Sequence, residues 1–214
     1  MITDDDEYKI TIQTYGDLGK RYIENSASID LFVLNEFMGT LPKGGKVLDV
    51  GCVAGRDSKK LAAAGFDVTG IDVVDIFLEE ARKNVAGAKF LKMDMLDISF
   101  PKNSFDGILA QAVLLHIRRS EVPKVLKDFY KILKPGGKIY VGVKRGDGEG
   151  WEADKLANNK KRFFTYFSGE GIARYMKEAG FKVIFLKLFS DYVKRKNTEW
   201  IVAWGEKAVA DNHG

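Results

Sequence analysis

Two hydrophobic periods alternate along this chain, one suited to buried strands and one to helices. Short apolar runs at 46–50, 67–71, 88–92, 105–110 and 138–143 predict five strands. Between them, 56–64, 75–84 and 121–133 predict helices, and Gly65 suits the C-terminal cap of the first. Lys134-Pro135-Gly136-Gly137 stops the third helix before the fifth strand. A further helix is expected over 168–180, with Ser168 as its N-cap and Glu170 favouring its first turn. Leu18, Tyr22, Ile29, Phe32, Val33 and Phe37 predict a helix over 17–38, broken by Pro42-Lys43-Gly44-Gly45. Runs at 181–189 and 199–204 predict two consecutive strands joined by a charged turn at 191–197. Alternating strands and helices specify a parallel sheet with helices on both faces. The closing pair predicts a terminal hairpin, hence one antiparallel strand.

Two strand ends carry the candidate chemistry. The first apolar run contains Asp49 and passes into Gly51-Cys52-Val53-Ala54-Gly55; the second ends at Asp72. In a parallel α/β sheet the carboxyl ends of neighbouring strands form a ligand crevice, so both acids are expected to face one molecule. Glycine in the first turn lets the backbone approach that molecule closely. An acid at the second strand end can accept both hydroxyls of a ribose, which makes the crevice a candidate nucleoside site. The turn lacks the Gly-x-Gly-x-x-Gly that cradles a pyrophosphate, and Asp49 would repel a phosphate. An acid there suits a cationic amine.

Composition narrows the class. At 214 residues, 45% hydrophobic and 30% charged, the chain fits one α/β domain with a sizeable core. No apolar run approaches the roughly 20 residues of a membrane span, and the acidic start does not read as a signal peptide. The lone Cys52 excludes an internal disulfide and a thiolate metal cluster, so a cytoplasmic location is the expectation. His116 and His213 are the only histidines, and no metal ligand cluster is expected. Residues 1–107 carry 13 basic and 18 acidic side chains, whereas 108–214 carry 21 and 12. That basic second half suits either an anionic substrate, a nucleic acid or simply solvated helix faces.

Read together, Val47-Leu-Asp-Val-Gly-Cys52, Val68-Thr-Gly-Ile-Asp72, Met93-Asp94-Met95, Ser104-Phe-Asp106-Gly and Leu133-Lys-Pro-Gly-Gly137 resemble the class I S-adenosylmethionine-dependent methyltransferases. The likeness is greatest to the small-molecule group related to ubiquinone and menaquinone methyltransferases, and it runs from Tyr15 to Lys207. It implies a Rossmann-like, doubly wound, seven-stranded sheet, mostly parallel with an antiparallel terminal strand. Residues 1–42 would form an N-terminal lid, 43–208 the cofactor-binding domain and 209–214 a tail. The resemblance places Asp49, Gly51, Cys52 and Gly55 around the methionine end of S-adenosylmethionine. Asp72 would bind the ribose, with Val73 beside it. Asp94 would take the adenine amino group, Met95 would flank the base, and Gln111 would lie near the sulfonium. Tyr15 and Tyr22 would belong to the lid.

Val53 departs from the family pattern, which usually has glycine there; a β-branched residue resists positive φ and narrows the turn. Val74 replaces the usual capping serine, leaving Asp75 to favour that helix start.

Methyl transfer from a sulfonium is an in-line displacement that yields S-adenosylhomocysteine. It needs alignment of donor and acceptor and exclusion of water, an effect worth up to roughly 7–11 kcal/mol, and no metal. His116, beyond the fourth strand, is the candidate general base for an acceptor that must lose a proton. The segment after the fifth strand mixes cations and rings: Arg145, Trp151, Arg162 and Tyr166 are the candidate substrate contacts, suited to a small acidic molecule. An RNA or protein substrate and a non-catalytic cofactor-binding protein are the alternatives; the oligomeric state is open.

Overall fold

The computed structural model describes residues 4–27, 31–153, 159–190 and 198–209, with side chains from residue 7 onward. The 191–197 turn, Ile29 and His213 lie outside the described residues. Among the described residues, nine strands and six helices follow in chain order. They are α1 (Asp4–Ser26), α2 (Leu34–Gly39), β1 (Lys46–Val50), α3 (Arg56–Ala63), β2 (Asp67–Asp72), α4 (Asp75–Asn84), β3 (Lys89–Lys92) and β4 (Phe105–Gln111). After a single 3-10 turn (Leu114–His116) come α5 (Val122–Ile132), β5 (Leu133–Lys144), β6 (Glu149–Ala153), β7 (Lys161–Thr165), α6 (Gly169–Glu178), β8 (Phe181–Ser190) and β9 (Glu199–Lys207).

Seven strands form one sheet in the order β3-β2-β1-β4-β5-β9-β8. All neighbouring pairs are parallel except β5 with β9 and β9 with β8, so β9 alone runs reversed. The period of two assigns alternate side chains to two separate cores. Leu48, Ile108, Ile139 and Ile201 face a core closed by α5 and α6. Their neighbours Val47, Leu109, Tyr140 and Val202 face a second core with Phe37 of α2 and Leu61 of α3. The chain leaves β1 for β2 on one side while β4 stands on the other, and this switch point opens a crevice at the carboxyl ends. At the opposite, amino ends, Asp106 of β4 accepts from the Lys46 amide of β1 at 2.8 Å and from Lys134 Nζ of β5 at 2.7 Å.

Three features differ from the pattern-based expectation. The helix expected over 17–38 is two helices: α1 begins at Asp4, kinks at Gly19 (φ 47°, ψ −126°) and ends at Ser26, and α2 starts after Val33 at φ 51°. The Asn25-Ser26 stretch is a weak helix former, which favours the stop there. Second, β5 begins at Leu133, where it pairs with Phe105, rather than after Gly137. Third, β6 and β7 form a small antiparallel sheet of their own between β5 and α6, with Trp151 opposite Phe163. The Ser168 cap is formed, its side chain accepting the Gly171 amide. Val74 caps α4 with no side-chain hydrogen bond, and Asp75 stands in the first turn. Among the described residues no helix is long and apolar enough to cross a membrane.

Candidate functional site

A cavity of about 540 Å³ opens at the carboxyl ends of β1, β2 and β4. The turn after β1 shapes its floor. The Gly51 and Cys52 amides both donate to the Ile71 carbonyl, at 2.8 and 3.1 Å, which binds the end of β1 to that of β2. Gly51 has φ 69°, and a Cβ there would stand 2.4 Å from Val113 Cγ1, so only glycine fits. Val53 adopts φ 49° and donates its amide to Asp72 Oδ2 at 3.0 Å. Gly55, at φ 77°, serves packing instead: a Cβ would meet Val85 of the chain after α4 at 2.9 Å, and the residue is off the cavity wall.

The two strand-end acids stand on the wall together. Asp49 accepts from Ser58 Oγ at 2.6 Å, and burial, then the nearby Asp57 charge, raise its pKa to about 7. Asp72 accepts the Val53 and Val74 amides at 3.0 Å each, and burial raises its carboxyl above the usual range despite them. Each of its oxygens retains a lone pair for a ligand hydroxyl. Cys52 is buried, and burial followed by Asp49 and Asp72 pushes its thiol up, which leaves it unreactive. Val73 and Met95 line the cavity, but Asp94 does not. Its Oδ1 takes the Leu96 amide and the Tyr8 hydroxyl, both at 2.9 Å, and it is Tyr8 that reaches the wall. Gln111 closes the end of β4, and its Oε1 is buried with no hydrogen-bond partner. A Cβ on Gly142 would stand 1.7 Å from that oxygen, so the glycine in β5 makes room for the amide.

Helix α1 roofs the cavity. Tyr15 and Tyr22 stand on the wall with ring centroids 4.9 Å apart. The Tyr15 hydroxyl lies 2.7 Å from His116 Nε2, and His116 Nδ1 lies 3.0 Å from the Phe163 carbonyl. A carbonyl only accepts, so Nδ1 carries the proton and Nε2 accepts from Tyr15. Arg162 Nη1 donates to the same Tyr15 oxygen, and its guanidinium lies over the Tyr15, Tyr22 and Phe164 rings. Burial, then the Arg162 charge, lower the His116 pKa to about 3, so the imidazole is neutral. Burial raises the Tyr15 hydroxyl well above its usual value, with Tyr22 adding to this and Arg162 opposing it.

The remaining expected substrate contacts lie elsewhere. Arg145 pairs with Glu199 at 2.6 Å, Trp151 packs edge-on against Phe163, and Tyr166 donates to Glu152. None of the three lines the cavity: Arg145 is held by Glu199 of β9, Trp151 by Phe163 across the β6–β7 sheet, and Tyr166 by Glu152 of β6. Arg162 is also off the wall, one layer behind Tyr15. Sequence reasoning passed over Arg56, Asp57, Tyr8 and Trp200, all on the wall. Arg56 could have been found, since a cation directly after a glycine turn that faces two acids is unusual.

The wall thus offers carboxylates, an unpartnered amide oxygen and aromatic rings, with a single described cation. That set fits a nucleoside bearing a cationic centre and opposes a pyrophosphate. Among the described residues no group of acids, histidines or cysteines could hold a metal ion.

Comparison with known proteins agrees with this geometry. Residues 47–137 match the methyltransferase domain family. Phosphoethanolamine N-methyltransferase 3 of Arabidopsis thaliana is 28% identical over 187 residues, covering 80% of this chain and 38% of the relative. The phosphoethanolamine N-methyltransferase of Plasmodium falciparum is 29% identical over 157 residues, covering 71% of this chain and 59% of the relative. The chain spans about two-fifths of the length of the first curated relatives it matches. Among solved structures, the 1,6-didemethyltoxoflavin-N1-methyltransferase of Burkholderia thailandensis, with bound S-adenosylhomocysteine, superposes with a TM-score of 0.75. It is 16% identical, and the match covers 97% of this chain and 92% of that one. A Methanosarcina mazei S-adenosylmethionine-dependent methyltransferase also reaches 0.75 at 20% identity, covering 85% and 100%.

Proposed function

Because this chain belongs to the class I S-adenosylmethionine-dependent methyltransferases, we propose that it methylates the amine of a small molecule that carries an anionic group. S-adenosylmethionine supplies an electrophilic methyl that needs no further activation. Asp72 takes the ribose hydroxyls, Val73 and Met95 flank the base, and Asp49 takes the cationic amine. Tyr8, positioned by Asp94, stands on the wall where the base lies. Gly51 gives the methionine end its close approach to the backbone with Cys52 beside it on the wall, while Gly55 supports that turn from behind.

The observation that carries the reading is the Tyr15–His116 pair, 2.7 Å apart, on the wall of the cavity that also holds Asp49 and Asp72. An ammonium must lose a proton before it can attack. The fixed tautomer of His116 points its Nε2 lone pair at Tyr15, so an acceptor that displaces the hydroxyl meets a neutral, oriented base. In the closed cavity that base is weak, at about 3, and the Arg162 charge is one of the causes. An anionic group brought close to Arg162 would offset this charge and raise the basicity in part, with burial remaining the larger cause. Substrate anion and catalytic base are thereby linked. The phosphoethanolamine specificity of the relatives supports the same class of acceptor. A small acceptor also fits a cavity of this size. Nucleic acid is not part of this reading, and a cytoplasmic setting accompanies it.

The test is transfer of labelled methyl from S-adenosylmethionine to phosphoethanolamine, to ethanolamine and to amino acids. Transfer to the anionic amines and not to ethanolamine is expected, and His116→Ala should lower kcat by roughly 10²–10⁴-fold while S-adenosylhomocysteine still binds. Label entering RNA or protein, or no transfer to any amine, refutes the proposal.

A further inference from the structure

The charges on the cavity wall are unequal. Asp49, Asp57 and Asp72 are acids, and Arg56 is the only lysine or arginine among the described wall residues. Arg162 stands behind Tyr15, Arg145 and Lys160 are held by Glu199 and Asp17, and Lys144 lies over the Phe164 ring. Arg56 itself is set by two neighbours. Its Nε donates to Asp57 Oδ1 at 2.9 Å and its Nη2 donates to Oδ2, a fork-on-carboxylate pair that fixes the guanidinium plane. Its Nη1 donates to the Ser26 carbonyl at 2.9 Å, one of the carbonyls that the end of α1 cannot satisfy within the helix. These bonds use three of the five N–H groups, so one hydrogen remains on each terminal nitrogen. The side chain retains 25% of its exposure, against 11% for Asp57.

S-adenosylmethionine carries two positive centres, the sulfonium and the amine, and one negative centre, its carboxylate. The wall mirrors this pattern with an excess of acids and one cation. We propose that Arg56 binds the carboxylate of the cofactor's amino-acid end through its two remaining N–H groups, with Asp57 as the residue that orients it. Because the same guanidinium holds Ser26, the bound carboxylate also fastens the last turn of α1 over the ligand. The inference rests on the cofactor assigned above, and concerns only how its tail is recognised.

Equilibrium binding of two ligands separates this role from a structural one. S-adenosylhomocysteine has the amino-acid tail, and 5′-methylthioadenosine has the nucleoside and sulfur without it. Arg56→Ala should weaken S-adenosylhomocysteine by roughly ten- to hundredfold, the range of a charge-assisted hydrogen-bonded pair, and leave methylthioadenosine within about twofold. Arg56→Lys, a point charge without the fork, should fall between. Arg56→Ala alone strands the Asp57 carboxylate, so the double variant Arg56→Ala, Asp57→Asn serves where the single one fails to fold, with the same selective loss expected. Equal losses for both ligands, or an unchanged affinity for S-adenosylhomocysteine, overturn the proposal. A wild-type protein that binds neither ligand overturns the cofactor assignment itself, and this inference with it.

Discussion

Replacing Val53 by glycine isolates the strain in the turn after β1. Val53 holds φ 49°, where a Cβ crowds the following carbonyl and a branched one crowds it most. The left-handed conformation costs an L-residue roughly 1–2 kcal/mol and costs glycine almost nothing. Glycine also frees the unfolded chain, which takes back about 0.5–1 kcal/mol. Val53 is only half-buried, so little packing is lost with its side chain. The net expectation is a gain of somewhat under about 1 kcal/mol, equivalent to about 2–3 °C in Tm for a chain of this length. Urea unfolding followed by circular dichroism reads it directly, as a higher midpoint at unchanged m. Ala112, at φ 55° but unbranched, provides the control, and Ala112→Gly should gain less. Calorimetric titration with S-adenosylhomocysteine gives the second readout. The Val53 amide that holds Asp72 survives the substitution while its isopropyl group leaves the wall, so binding should tighten. Equal or lower stability together with unchanged or weaker binding would show that the valine is neither strained nor an obstacle.

Two further expectations concern the same wall. His116, lowered from 6.5 to about 3, binds fewer protons folded than unfolded, so between those values it makes stability rise with pH; Asp49, raised from 3.8 to about 7, binds more, so it makes stability fall with pH. The two slopes oppose each other over the shared window. Asp49→Asn should therefore steepen the rise of unfolding free energy between pH 3.8 and 6.5 by up to about 1.4 kcal/mol per pH unit, and an unchanged slope in urea melts would refute it. Gly142→Ala should displace the Gln111 amide and destabilise the chain by about 1–3 kcal/mol, yet cost little in a Gln111→Ala background. A double-mutant cycle with no coupling would refute that contact.

The sheet was legible because each strand is a short apolar run and each crossover helix has its own stripe. Strand β6 was not, since Glu149-Gly-Trp-Glu-Ala153 is mostly exposed and shows no alternation. The early start of α1 was hidden for a related reason: its apolar residues serve a cavity rather than a continuous core. At the site, Asp49 and Asp72 could be placed from strand ends alone, because topology fixes where those ends meet. The link between Arg162 and Tyr15 could not, because it spans 147 residues and depends on how a hairpin settles against a helix. Asp94 shows a subtler limit. Its position follows from the end of β3, but Tyr8, 86 residues away, decides which of the two reaches the wall.

Asp106 holds β1 and β5 to the strand between them at the sheet's amino margin, while every wall residue derived from a strand lies at the other margin. Fastening and reactivity are thereby segregated along the strand axis. Changes around Asp106 should alter heat tolerance without touching turnover, which leaves the crevice free to be rebuilt for a new acceptor on an undisturbed frame.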